Sequence, residues 1–107
     1  MNHGLSAATV AKIHGVLSRH LEVERAILYG SRAKGNFKPG SDIDLTLTGN
    51  NLDQRLRGRI DEELDDLLLP YEFDLSLLRE LTHQELIDHI RRVGIVFYEK
   101  TPAEVKQ

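Results

Sequence analysis

The stretch "DIDLTLT", residues 42–48, alternates without a break: Ile43, Leu45 and Leu47 fall on one side, Asp42, Asp44, Thr46 and Thr48 on the other. A period of two is that of an extended strand, so this segment must bury one face and turn two carboxylates out of the other. Upstream, "RAILYG" (residues 25–30) reads as a short buried strand closed by glycine. Gly35, Pro39 and Gly40 mark the stretch between them as loop, with one helical turn expected over residues 31–34.

Helical spacing flanks these strands. Val10, Ile13, Leu17 and Leu21 make one stripe behind a capping Ser6, predicting a helix that runs to about His20. Leu52, Leu56, Ile60, Leu64, Leu67 and Leu68 make a second stripe, predicting a helix over residues 51–69 that Pro70 stops. Its interior Gly58 weakens it by roughly 1 kcal/mol relative to alanine. "YEFDLSLL" (residues 71–78) alternates again, with Glu72, Asp74 and Ser76 on its polar side. Thr82 and Glu85 have the spacing of a capping box, and Leu81 and Leu86 that of a hydrophobic staple. They open a helix that Gly94 ends, before a last strand "IVFYE". The expected fold class is α+β, a small mixed sheet packed against helices in the order α-β-turn-β-α-β-α-β. Residues 1–100 form one domain, and residues 101–107 read as a polar tail.

Composition narrows what such a domain does. A chain of 107 residues carries one core. No apolar run approaches the ~18 residues that span a bilayer, and the start lacks the layout of a signal peptide. With no cysteine there is neither disulfide nor thiolate ligand. A cytoplasmic location, away from membranes, is therefore expected. The net charge of −3 argues against a general nucleic-acid surface, although a small phosphate ligand needs only a local positive patch.

Asp42 and Asp44, at i and i+2 on one strand, project from the same face about 7 Å apart. Asp74 occupies the polar face of another strand. If the two strands are neighbours, three carboxylates converge, and at ~6 Å with an effective dielectric of ~20 each like-charged pair costs on the order of 3 kcal/mol. Such a group calls for a cation. Oxygen-only donors suit a hard ion, Mg²⁺ or Mn²⁺, which keeps part of its shell for water and substrate phosphate. The Gly30-Ser31 turn supplies close backbone approach, an N–H and a hydroxyl for phosphate. Arg32, Lys34 and Lys38 are available to neutralise it. The five histidines, at 3, 14, 20, 83 and 89, have no metal-site spacing and are assigned structural or solvent roles. Tyr29 reads as a core residue at a strand end. Arg55, Arg57 and Arg59, followed by Asp61, Glu62, Glu63, Asp65 and Asp66, oppose the helix macrodipole and read as a solvated face.

"YGSRAKGNFKPGSDIDL" resembles the signature of minimal nucleotidyltransferases, a branch of the DNA polymerase β-like nucleotidyltransferase superfamily. That pattern is Gly-Ser, about ten residues, Asp-x-Asp and an apolar residue, then a third carboxylate on a later strand. Here residues 32–41 separate Ser31 from Asp42, Leu45 follows the pair, and "EFDLS" supplies Asp74, so the resemblance spans residues 25–77. It implies a nucleotidyltransferase fold. Gly30, Ser31 and Arg32 are then expected at the nucleotide, with Asp42, Asp44 and Asp74 holding two ions and carrying catalysis. The implied reaction moves NMP, most plausibly AMP from ATP, onto a hydroxyl. Small chains of this kind resemble the antitoxin of HEPN/MNT pairs, which implies a HEPN ribonuclease toxin as partner and its tyrosine as acceptor, in a hetero- or homo-oligomer. Two alternatives stay open: an antitoxin that acts by binding alone, and a small-molecule nucleotidyltransferase of the antibiotic-modifying type.

Overall fold

A computed structural model describes residues 3–100; the expected tail at 101–107 lies outside them. The element order is α1 (Ala7–Ser18), β1 (Arg25–Tyr29), α2 (Ser31–Lys34), β2 (Ile43–Thr48), α3 (Gln54–Asp65), β3 (Phe73–Leu77), a 3₁₀ turn (Leu78–Glu80), α4 (Gln84–Val93) and β4 (Ile95–Glu99). The four strands form one mixed sheet in the order β3-β2-β1-β4. β1 is antiparallel to both of its neighbours, whereas β3 runs parallel to β2. A parallel pair requires a crossover connection, and α3 is that crossover.

The alternation read in the sequence sorts the two faces of the sheet. On one face the register aligns Ala26 with Leu47 and Leu28 with Leu45, then Leu45 with Leu75 and Leu47 with Leu77. These side chains are buried with Ile13, Val16 and Leu17 of α1 and Ile60 and Leu64 of α3, forming a single core. At ~25 cal/mol per Å² of apolar surface, each fully buried leucine or isoleucine here contributes about 1.5–3 kcal/mol. The other face aligns Tyr29 with Asp44 and Asp44 with Asp74, then Ile27 with Thr46 and Thr46 with Ser76. That face carries the chemistry. Among the described residues no helix is long and apolar enough to cross a membrane.

Ser6 caps α1 as expected, accepting from the Thr9 N–H at 3.1 Å. Three other expectations need correction. The second long helix is shorter than residues 51–69. Asp53 caps it, its carboxylate accepting from the Leu56 N–H at 2.8 Å, and Leu52 is buried ahead of it in the core. Past Asp66 the ladder tightens to i→i+3 bonds, and Leu68 takes φ 56 and is 88 % exposed, off the apolar stripe. The reason is geometric: Pro70 disfavours helix at the residue before it, and the chain must reverse into β3. At α4 the cap is His83, not Thr82, its Nδ1 accepting from the Leu86 N–H at 3.3 Å. The 3₁₀ turn carries the chain as far as Leu81, whose N–H bonds the Leu78 carbonyl. The helix therefore starts one residue late for the Thr82–Glu85 box and the Leu81–Leu86 staple. Finally, the third strand spans Phe73–Leu77 rather than residues 71–78: the 3₁₀ turn takes over at Leu78, and the Tyr71 ring packs under the Arg32 guanidinium.

Candidate active site

The polar face brings together side chains from β2, β3 and the turn that follows β1. The parallel register sets Asp74 directly beside Asp44. Asp42 lies one residue before β2 begins and is exposed, as is Asp74, while Asp44 is half-buried between them. Burial, then the neighbouring charges of Asp74 and Asp42, push the Asp44 carboxyl up to about 6. Ionised together, the three acids repel one another, as expected for oxygen donors drawn together ahead of a cation. Among the described residues, however, no three His, Cys, Asp or Glu side chains close up into a cage that would hold an ion unaided. An oxygen-ligated ion that leaves room for phosphate and water fits this open donor set.

Gly30 is required twice over. Its φ of 77 lies in the region that favours glycine, and a Cβ there would overlap Asp44 Oδ2. The turn and the carboxylate are thus in van der Waals contact through a position that tolerates no side chain. After Gly30, residues 31–34 make the single helical turn foreseen in the sequence, closed by bonds from Lys34 N–H to the Gly30 carbonyl and from Gly35 N–H to the Ser31 carbonyl. Ser31 opens that turn, half-buried beside the acids. Lys34 and Lys38 are exposed on the loop.

Arg32 is placed differently from expectation. Only 1 % of it is exposed, and it points away from solvent. Its Nε and one terminal nitrogen donate to the Ser41 carbonyl, at 3.1 and 3.0 Å. The same guanidinium reaches the Pro39 and His3 carbonyls, and it packs over the rings of Phe37 and Tyr71. With every guanidinium nitrogen engaged by a carbonyl, the Arg32 side chain fastens the loop that delivers Asp42 instead of standing free for phosphate as expected. A buried guanidinium suits this task because its fork serves several carbonyls at once.

Sequence reasoning missed a second layer of the site. Tyr29 ends β1 opposite Asp44 and is buried, but on the polar face rather than in the core. Burial pushes its hydroxyl pKa up against a bond to Ser76 that lowers it, with Asp74 and Asp44 adding to the rise. Ser76 in turn donates to Thr46 at 2.8 Å. Hydroxyls thus floor the face beneath the carboxylates. The alternation of "DLS" and "LTL" contained this layer, since Thr46 and Ser76 each follow an acid by two. Of the histidines, His83 is a cap, His14 bonds the Phe97 carbonyl at 2.6 Å and His20 bonds Glu63 at 2.9 Å. His89 is unlike them: its Nε2 accepts the Gly30 N–H at 3.1 Å, inside the site. Along α3 the charges are surface features, with Arg57 3.8 Å from Asp61 and Arg19 3.4 Å from Glu63.

A four-stranded mixed sheet with a glycine-serine turn packed on a pair of adjacent acids defines a nucleotidyltransferase domain. The polymerase beta nucleotidyltransferase family model matches residues 11–103, and the chain belongs to that family. Over 73 residues it is 37 % identical to the probable protein adenylyltransferase MntA of Haemophilus influenzae. That match covers 67 % of this chain and 63 % of the relative, so the chain spans less than two thirds of it. The fold is shared with a chain of a toxin–antitoxin complex with AMP-PNP (TM-score 0.67, 22 % identity, 94 % of this chain and 77 % of that one). It is shared as well with the complex of a tri-AMPylated Shewanella oneidensis HEPN toxin and its MNT antitoxin (TM-score 0.65, 21 % identity, 92 % and 76 % coverage).

Proposed function

We propose that this protein is a metal-dependent protein adenylyltransferase that moves AMP from ATP to a tyrosine hydroxyl of a HEPN toxin and so acts as its antitoxin. The observation that carries the reading is the register of β2 and β3, which seats Asp74 beside Asp44 while Gly30 presses its turn against Asp44. The name of the Haemophilus influenzae relative and the AMPylated toxin in the Shewanella oneidensis complex support the acceptor and partner. The AMP-PNP in the structurally similar complex supports ATP as donor.

Asp42, Asp44 and Asp74 are the residues that would hold two Mg²⁺ or Mn²⁺ ions. When bound, such ions neutralise phosphate charge and lower the pKa of an oxygen they touch. The chain's own contributions follow from its geometry. Gly30 and Ser31 bring backbone and hydroxyl against the triphosphate and orient it. Asp74, exposed on the open side of the pair, takes the proton from the acceptor. A tyrosine hydroxyl, with pKa near ~10, is a weak nucleophile at neutral pH without such help. Its oxygen forms the new bond to the α-phosphorus, the bond to the bridging oxygen breaks, and pyrophosphate carries away the electron pair. The proton passes from Asp74 to water.

The test uses the protein encoded by the adjacent gene, purified and incubated with this chain, ATP and Mg²⁺, and weighed intact. Wild type is expected to add one or more AMP groups and Asp74→Asn almost none. An unmodified partner, inhibited equally by both proteins, would replace this reading with neutralisation by binding alone.

A further inference from the structure

The nucleotide turn is held from outside its own loop. α4 packs against β1 on the polar side of the sheet, with Ile90 buried. At its C-terminal end a Cβ on Gly94 would meet Ile27 Cγ2 at 2.8 Å, so the helix end sits as close to β1 as a glycine allows. Held there, α4 points His89 at the start of the loop. Its ring packs edge-on to Tyr29, centroids 6.2 Å apart and planes at 79°. Its Nε2 accepts the N–H of Gly30 at 3.1 Å. That bond requires the neutral ring with its proton on Nδ1.

We propose that His89 is a positioning residue for the nucleotide: it fixes the Gly30-Ser31 turn before the triphosphate arrives. Gly30 is the residue least able to hold its own conformation, since glycine visits both signs of φ at little cost. Its displacement would also disturb Asp44, which it touches. One acceptor on a helix braced against β1 removes that freedom. With the Gly30 N–H occupied, Ser31 is left to face the phosphates. The turn grips the triphosphate before and during the reaction alike, so losing the clamp should weaken binding uniformly and leave the chemical step nearly intact.

This inference rests on the reading of the site as a nucleotidyltransferase, and its test separates the two. Three variants are compared with wild type. His89→Phe keeps the ring against Tyr29 without the acceptor, His89→Ala removes both, and His89→Gln places an amide oxygen where Nε2 stood. Hydrogen exchange of the Gly30 amide, read by NMR on the nucleotide-free protein, is expected to speed up in the Phe and Ala variants and to stay protected in Gln. Equal exchange in wild type and His89→Phe would overturn the clamp whatever the protein's activity. In the transfer assay, KM for Mg·ATP should rise roughly five- to tenfold in Phe and Ala, the weight of one hydrogen bond, with kcat within about twofold and Gln near wild type. A merely structural role would lower the active fraction, hence kcat, and leave KM alone; that result also overturns the proposal. If wild type neither binds Mg·ATP nor transfers AMP, the functional reading falls and the nucleotide role of His89 with it, even where amide exchange still shows the clamp.

Discussion

Asp44→Asn should make the metal-free protein more stable while abolishing the proposed AMP transfer. The Asp44 carboxyl is half-buried, and burial with the charges of Asp74 and Asp42 moves it from 3.8 to about 6. That change corresponds to ~3 kcal/mol. Because roughly half the group meets solvent, screening cuts this to about 1–1.5 kcal/mol. The folded state holds the proton more tightly than the unfolded one, so between these pKa values folding takes up protons. The penalty is therefore complete above about pH 6 and absent below about pH 4. The amide keeps the shape against Gly30 and removes the charge. In urea denaturation with EDTA at about pH 7.5, the variant is expected to exceed wild type by about 1–1.5 kcal/mol, or about 5–10 °C in Tm for a domain of this size. At about pH 5 the gap should fall by about half. A variant no more stable than wild type at pH 7.5, or a gap that ignores pH, would refute the account of Asp44 as a repelled, ion-awaiting carboxylate.

Two further outcomes test the scaffold. Arg32→Met keeps the apolar stem but strips the Ser41, Pro39 and His3 carbonyls of their donors; it should cost about 2–4 kcal/mol in chemical denaturation, and the Arg32→Lys variant should recover less than half of that, because one ammonium cannot copy the fork. Gly58 lies within α3 with open space where a methyl group would project, so Gly58→Ala should raise stability by about 0.5–1 kcal/mol in the same assay and leave the proposed AMP transfer unchanged.

Much of this molecule is written in its local sequence. Period-two runs at residues 42–48 and 71–78 specified strands whose acids share a face, because a strand has no other way to arrange alternate residues. Ser6 specified a helix start, and Gly30 a turn that only glycine can make beside a carboxylate. The order of elements followed from these signals. What they could not specify is anything that depends on two distant segments meeting. That β3 runs parallel to β2, in the one register that pairs Asp44 with Asp74, is set by how α3 packs its stripe on the sheet. Arg32 looked like a free cation beside a phosphate turn; only the folded loop, with Phe37 and Tyr71 closing over it and three carbonyls turned inward, makes it a buried strut. Helix ends moved for the same kind of reason, His83 displacing Thr82 once the 3₁₀ turn had used the preceding residues. His89 is the extreme case. It stands 59 residues from Gly30 and carries no motif, and its partner is a backbone N–H that every non-proline residue possesses. A backbone donor leaves no mark in the sequence, so only tertiary structure decides which side chain reaches it.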